Sequence, residues 1–178
     1  MTRPATRIEL RRDAYEVIAS ATAQQLPRET GGILLGYRED ANVVVTHALV
    51  VDGQEASTHR YVRDDVTANA CLAAFLAQRA GDDPTGYVGE WHSHPAPSGP
   101  SPTDVAAMQA TAREHDGPLA LLVYAPGGVD PFFGLITRRQ RWGRVTSKKA
   151  AVLPPPPPRF EELGPLPDGA VRRDGPVG

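Results

Sequence analysis

The stretch Gly89-Glu90-Trp91-His92-Ser93-His94-Pro95, with Ser101 and Asp104 after it, decides how the rest of this chain is read. Side chains alternate faces along a strand, so His92 and His94 project from one side and their ring nitrogens can meet on one ion. Asp104 lies ten residues beyond His94, at the start of the next expected helix, and offers a carboxylate oxygen. Two imidazoles and one carboxylate leave a fourth position to water, which is the makeup of a catalytic zinc site rather than a closed structural one. Ser101 sits between these ligands in sequence, with a hydroxyl in reach of that open position. Taken singly, the same residues also read as two strand histidines satisfied by hydrogen bonds and a first-turn aspartate favoured by the helix dipole.

The whole run His92-Ser93-His94-Pro95-Ala96-Pro97-Ser98-Gly99-Pro100-Ser101-Pro102-Thr103-Asp104 resembles the motif of the JAMM (JAB1/MPN+) zinc metalloproteases: His-x-His-Pro, a short loop, then Ser-x-x-Asp. That family also carries a glutamate beside a glycine-rich strand, and Glu29-Thr30-Gly31-Gly32-Ile33-Leu34-Leu35-Gly36 resembles that element. The likeness covers about residues 5 to 140. Six residues separate His94 from Ser101, where the family commonly has one more, so this loop is a residue tighter. The resemblance implies an α+β fold, an MPN/JAB-like mixed β-sheet flanked by helices akin to the cytidine-deaminase-like αβ sandwich. It also implies zinc held by His92, His94 and Asp104, Glu29 as proton shuttle, and Ser101 as hydrogen-bond donor to a tetrahedral oxyanion.

The chemistry explains those roles. A zinc ion so held lowers the pKa of its water towards about 7 and polarises the scissile carbonyl. An amide nitrogen leaves poorly until it is protonated, so a carboxylate must carry the proton. Glu90 rivals Glu29, lying on the same strand face as the histidines; its other reading is a partner orienting a histidine, or a buried strand ion pair. Ser101 followed by Pro102 is also a good helix start, and a cap and an oxyanion donor are compatible roles.

A length of 178 residues suits one domain and a tail. The net charge of −2 gives no global pull towards nucleic acid or anionic membrane. The single cysteine, Cys71, cannot form an internal disulfide and reads as a small buried hydrophobe. With no leader-like start and no bilayer-length apolar run, a cytoplasmic protein is expected.

A short strand is expected at 6–10, and a helix over about 14–25 that Pro27 ends. Gly31–Tyr37 and Asn42–Val51 form a hairpin by pattern, with a further strand at His59–Val62. Asp64 or Asp65 caps a second helix whose apolar stripe is Val66, Ala70, Ala73, Ala74 and Ala77. Tyr87–His94 is a strand, a third helix runs to about 115, and Leu119–Tyr124 and Phe132–Thr137 complete the sheet. The order αβββαβαββ indicates α+β layers rather than a doubly wound parallel sheet. The metalloprotease-like domain is assigned to 1–147 and a proline-rich, disordered tail to 148–178. His47, His59 and His115 read as ordinary strand or helix-end residues. Gly31 and Gly32 lack phosphate-loop spacing and are expected to allow close approach to the catalytic centre or a helix. Arg138, Arg139, Arg141, Arg144, Lys148 and Lys149 surround Trp142 without an acid. Arginines with an aromatic can bind nucleic acid, but a solvated strand end and linker is the preferred reading.

The leading functional expectation, carried by the resemblance, is a zinc isopeptidase or peptidase acting on a ubiquitin-like protein. Gly-Glu-Trp-His-Ser-His-Pro and Arg63-Asp64-Asp65 look most like the prokaryotic JAB proteases. These are encoded with activating-like and conjugating-like enzymes, as in anti-phage cyclic-nucleotide signalling (CBASS) and bacterial ubiquitin-like operons. In that family the substrate's C-terminal tail lies along a strand edge. The other readings are a non-catalytic interaction module that keeps the fold, and a RadC-like protein linked to DNA.

Overall fold

The computed structural model of the protein describes residues 6–51, 53 and 63–156. Among the described residues, seven strands and three α-helices follow one another as β1 (Arg7–Leu10), α1 (Arg12–Gln25), β2 (Gly31–Glu39), β3 (Asn42–Val50), α2 (Asp65–Leu76), β4 (Gly86–Ser93), α3 (Pro102–Glu114), β5 (Pro118–Tyr124), β6 (Phe132–Arg139) and β7 (Val145–Leu153). The expected α+β class holds: one mixed sheet, flanked by helices. The expected strand at His59–Val62 lies outside the described residues.

Strand order is β1-β3-β2-β4-β5-β6-β7, and β1 pairs in parallel with β7 so that the sheet closes on itself. Among the described residues, neither end of the strand order is left as an edge. The β2–β3 hairpin turns through two residues, with Asp40 in the left-handed region at φ 54°. Parallel strands need a long crossover, and α3 supplies it between β4 and β5. That crossover puts the C-terminal end of β4 beside the N-terminal end of α3, where the site is built.

Both sheet faces are covered. Ile8, Leu10, Ile18, Val43, Trp91 and Leu122 form the principal core on the side of α1. Ile33, Leu35 and Ala68 pack under α2, while Met108, Ala112, Leu119 and Leu121 pack under α3. β5 is buried at every position because both its faces meet core. Each of these large side chains contributes roughly 1.5–3 kcal/mol on burial.

A bulge at Val88 shapes β4: Gly89 pairs with Leu34 while Tyr87 pairs with Leu35. Gly89 has φ 151°, and a Cβ there would stand 1.9 Å from the Ala120 carbonyl oxygen. The extra residue brings Tyr87 onto the face that carries Glu90, His92 and His94, which strict alternation denies it. Gly32 of β2 serves a different neighbour from the one expected. A Cβ on Gly32 would lie 1.8 Å from the Leu49 carbonyl oxygen, so the close approach is to β3, not to a helix or the catalytic centre.

Two further expectations are corrected. The stripe Val66, Ala70, Ala73, Ala74 and Ala77 faces solvent; α2 instead turns Ala68, Leu72 and Phe75 inward. Its sequence is apolar nearly all round, so periodicity could not choose the face. The folded domain also extends past residue 147. β7 pairs with β6 and β1, and its Ala150 and Val152 pack on the principal core. Beyond it, the Arg12 guanidinium donates to the Pro156 carbonyl.

Candidate metal centre

His92 is the penultimate residue of β4, and His94 continues the same extended path beyond it. The His94 amide donates to the Tyr124 carbonyl (2.9 Å), fixing the chain against β5. Ser93, between them, turns to the opposite face and is fully buried. Its amide donates to the Thr30 carbonyl (2.7 Å) and its hydroxyl accepts from the Thr30 amide (3.0 Å). This pair of bonds holds Glu29, one residue upstream, against the histidines.

Asp104 comes from the first turn of α3. The Ser101 side chain caps the helix by accepting from the Asp104 amide (3.2 Å), and the Asp104 carboxylate accepts from the Ser101 amide (2.6 Å). This reciprocal box satisfies two otherwise unpaired helix-end amides. It also fixes the direction of the carboxylate, so the helix-start reading of Ser101 and the ligand reading of Asp104 are parts of one device.

The donor atoms converge. His92 Nε2 and His94 Nε2 are 3.1 Å apart, and His92 Nε2 is 3.5 Å from Asp104 Oδ2. One ligand atom from each of the three lies within 4.8 Å of those of the other two. Donors about a tetrahedral zinc with bonds of roughly 2.0–2.1 Å stand about 3.3–3.4 Å apart, so the two distances from His92 and the N,N,O donor set fit such an ion. Partial burial raises the Asp104 carboxyl, but hydrogen bonding and charge from His92, joined by Ser101, hold it well below the usual carboxylate range.

Ser98 is a residue that sequence reasoning missed. Its hydroxyl lies 2.8 Å from His94 Nδ1 and its carbonyl 3.1 Å from the same nitrogen. The hydroxyl proton goes to the Ala96 carbonyl (3.3 Å). The oxygen is therefore an acceptor, Nδ1 carries the hydrogen, and Nε2 offers its lone pair to the centre. Partners of this kind fix the tautomer and orientation of metal-binding histidines.

The two glutamates separate. Glu29 Oε1 lies 3.8 Å from His94 Nε2, and the residue is only 8% exposed. Glu90 is engaged elsewhere: it accepts from Arg63 Nη1 (2.6 Å) and from the Tyr87 hydroxyl (3.0 Å). Arg63 also forks onto Asp65 (2.6 and 3.0 Å). Of the readings open for Glu90, the strand ion pair is the one found. His47 bonds to Thr46 and His115 lies against the Tyr87 ring, both apart from the cluster; His59 is outside the described residues. Glu29, His92, His94, Ser101 and Asp104 line one cleft of about 860 Å³, which continues past Glu90 and along α3.

Residues 11–142 match the model of the family described as prokaryotic homologs of the JAB domain. A probable metalloprotease from Sinorhizobium fredii is 33% identical over 121 residues, spanning 62% of this chain and 73% of that one. The solution structure of a protein from Desulfitobacterium hafniense superposes with a TM-score of 0.55, covering 83% of this chain and 92% of the other at 20% identity; that likeness concerns the fold alone. By the extent of the family match and its agreement with the two motifs, this chain belongs to the prokaryotic branch of the JAMM/JAB family.

Proposed function

We propose that the protein is a zinc-dependent peptidase or isopeptidase that cleaves after the C-terminal glycine of a ubiquitin-like protein, removing it from a conjugate or processing its precursor. The observation that carries this reading is the convergence of His92, His94 and Asp104 beside Glu29 in an open cleft. The metalloprotease name of the Sinorhizobium relative supports the same class of reaction.

When bound by His92, His94 and Asp104, zinc supplies acidification of a water molecule and polarisation of a carbonyl. Glu29 Oε1 takes a proton from the attacking water and delivers it to the leaving nitrogen. The Thr30–Ser93 pair fixes the backbone next to Glu29. Ser101 Oγ accepts from the Asp104 amide, which leaves its own proton to donate to the developing oxyanion. The cleft beyond accommodates an extended tail between α3 and the Arg63–Glu90 wall. Activating and conjugating enzymes of the same operon are the proposed partners, in the cytoplasm.

The test is mass spectrometry of a cognate conjugate and of its precursor, incubated with wild type and with Glu29→Gln. Release of a protein ending in glycine by wild type alone supports the proposal. A zinc-loaded wild type that cleaves neither substrate overturns it in favour of an interaction module.

A further inference from the structure

The run Arg138-Arg139-Gln140-Arg141-Trp142-Gly143-Arg144 is the tip of the β6–β7 hairpin, not a linker. The strands pair up to Arg139 and Val145, and the Gln140 amide donates to the Arg144 carbonyl (2.6 Å) to close the loop. Trp142 caps this tip with its side chain wholly in solvent, at 101% relative exposure. Its backbone has φ 69°, and the following Gly143 has φ 74°. A bulky residue in the left-handed region is a genuine outlier, and backbone strain of this kind clusters at functional positions. Neither packing nor backbone preference accounts for a tryptophan here.

The charged residues of the loop itself are all basic. Arg138, Arg141 and Arg144 are exposed, as are Lys148 and Lys149 further along β7. Among the described residues of this group, only Arg139 is ion-paired, to Asp116 (2.5 Å). The chain's net charge is −2, so the basic tip is a local feature rather than a consequence of composition.

We propose that this tip binds single-stranded nucleic acid, with Trp142 stacking on an unpaired base and Arg138, Arg141 and Arg144 on the flanking phosphates. Guanidinium groups suit phosphate oxygens because two N–H donors match two acceptors. An exposed indole suits an unstacked base, whose face a duplex does not offer. Tryptophan and arginine also serve protein interfaces, and the titration with polyglutamate below tests that occupant.

The site is separate from the metal centre. Arg138 pairs with Pro118 at the start of β5, whereas His92 pairs with Val123 near its end. The two lie at opposite ends of the sheet, roughly 16 Å apart along the strand. Binding at the tip therefore leaves the cleft open.

Trp91 is buried and Trp142 exposed, and they are the two tryptophans of the chain, so intrinsic fluorescence reports on the tip. The full chain is titrated at low salt with a short oligothymidylate and its RNA counterpart, then with polyglutamate and with phosphatidylserine vesicles. Quenching of the exposed tryptophan by the oligonucleotides is expected. For the tryptophan variants, which lack that reporter, binding is read from the anisotropy of a dye-labelled oligothymidylate: Trp142→Ala should weaken it by about ten-fold and Trp142→Phe by less. Arg141→Gln with Arg144→Gln should flatten the log–log salt slope by about 1.4. Zinc content and circular dichroism should not change in any variant. The proposal is overturned if neither oligonucleotide binds, if Trp142→Ala binds as wild type does, or if polyglutamate or vesicles alone quench Trp142.

Discussion

Ser98 holds His94 by two acceptors at once, the hydroxyl at 2.8 Å and the carbonyl at 3.1 Å from Nδ1. Both come from the loop that is a residue tighter than is common between His94 and Ser101. Losing the hydroxyl leaves the carbonyl in place, so Ser98→Ala should weaken zinc binding towards the lower end of the roughly 10–100-fold range for such partners. Competition with a chromophoric chelator measures this. Unchanged affinity would mean that the backbone carbonyl alone orients the ring.

Glu29 and Glu90 should be distinguishable. Glu29→Gln should retain zinc and lose about 10²–10⁴-fold in turnover, because acid–base catalysis typically supplies that much. Glu90→Gln should also retain zinc but lose the Arg63 ion pair, showing as reduced stability with turnover largely kept. Paired measurements of zinc content and turnover check both, and the reverse pattern would exchange the two assignments.

Tyr87 predicts an alkaline weakness. Burial, then the neighbouring Glu90, push its phenol far above the ordinary tyrosine range, against the smaller influence of Arg63. A group whose folded pKa exceeds its unfolded value of about 10 contributes stability that is complete below that pH. The contribution falls as pH rises towards the folded value, by up to about 1.4 kcal/mol per pH unit. Urea denaturation of wild type and Tyr87→Phe across alkaline pH should show a shallower decline in the variant.

Truncation should depend sharply on where the chain is cut. Removing residues 157–178 should leave Tm within about 2 °C, a shift of roughly 1 kcal/mol or less. Removing 145–178 takes away β7, which closes the sheet and adds Ala150 and Val152 to the core. Several kcal/mol are lost, and Tm should drop by about 10 °C or more. Calorimetry of the two truncated proteins decides it.

The sequence spoke most clearly where spacing and chemistry coincide. His-x-His on a strand and Asp104 in a first helical turn leave few geometries, and the three donors do converge. What escaped it was set by tertiary context. β7 reads Val-Thr-Ser-Lys-Lys-Ala-Ala-Val-Leu, without clean alternation and next to a polyproline run, so its pairing with β1 had no local signal. α2 is nearly as apolar outside as inside, so its periodicity named the wrong face. Ser98 is one of several small residues in a loop, and only the fold reveals that it meets His94 Nδ1.

A metal centre made by His92, His94 and Asp104 must hold its ion through purification, and elemental analysis of the purified protein checks this. About one zinc per chain is expected, released by chelation and absent from a His92→Ala/His94→Ala variant that remains folded. A wild type without bound metal, or a double variant that keeps its full zinc content, would contradict it.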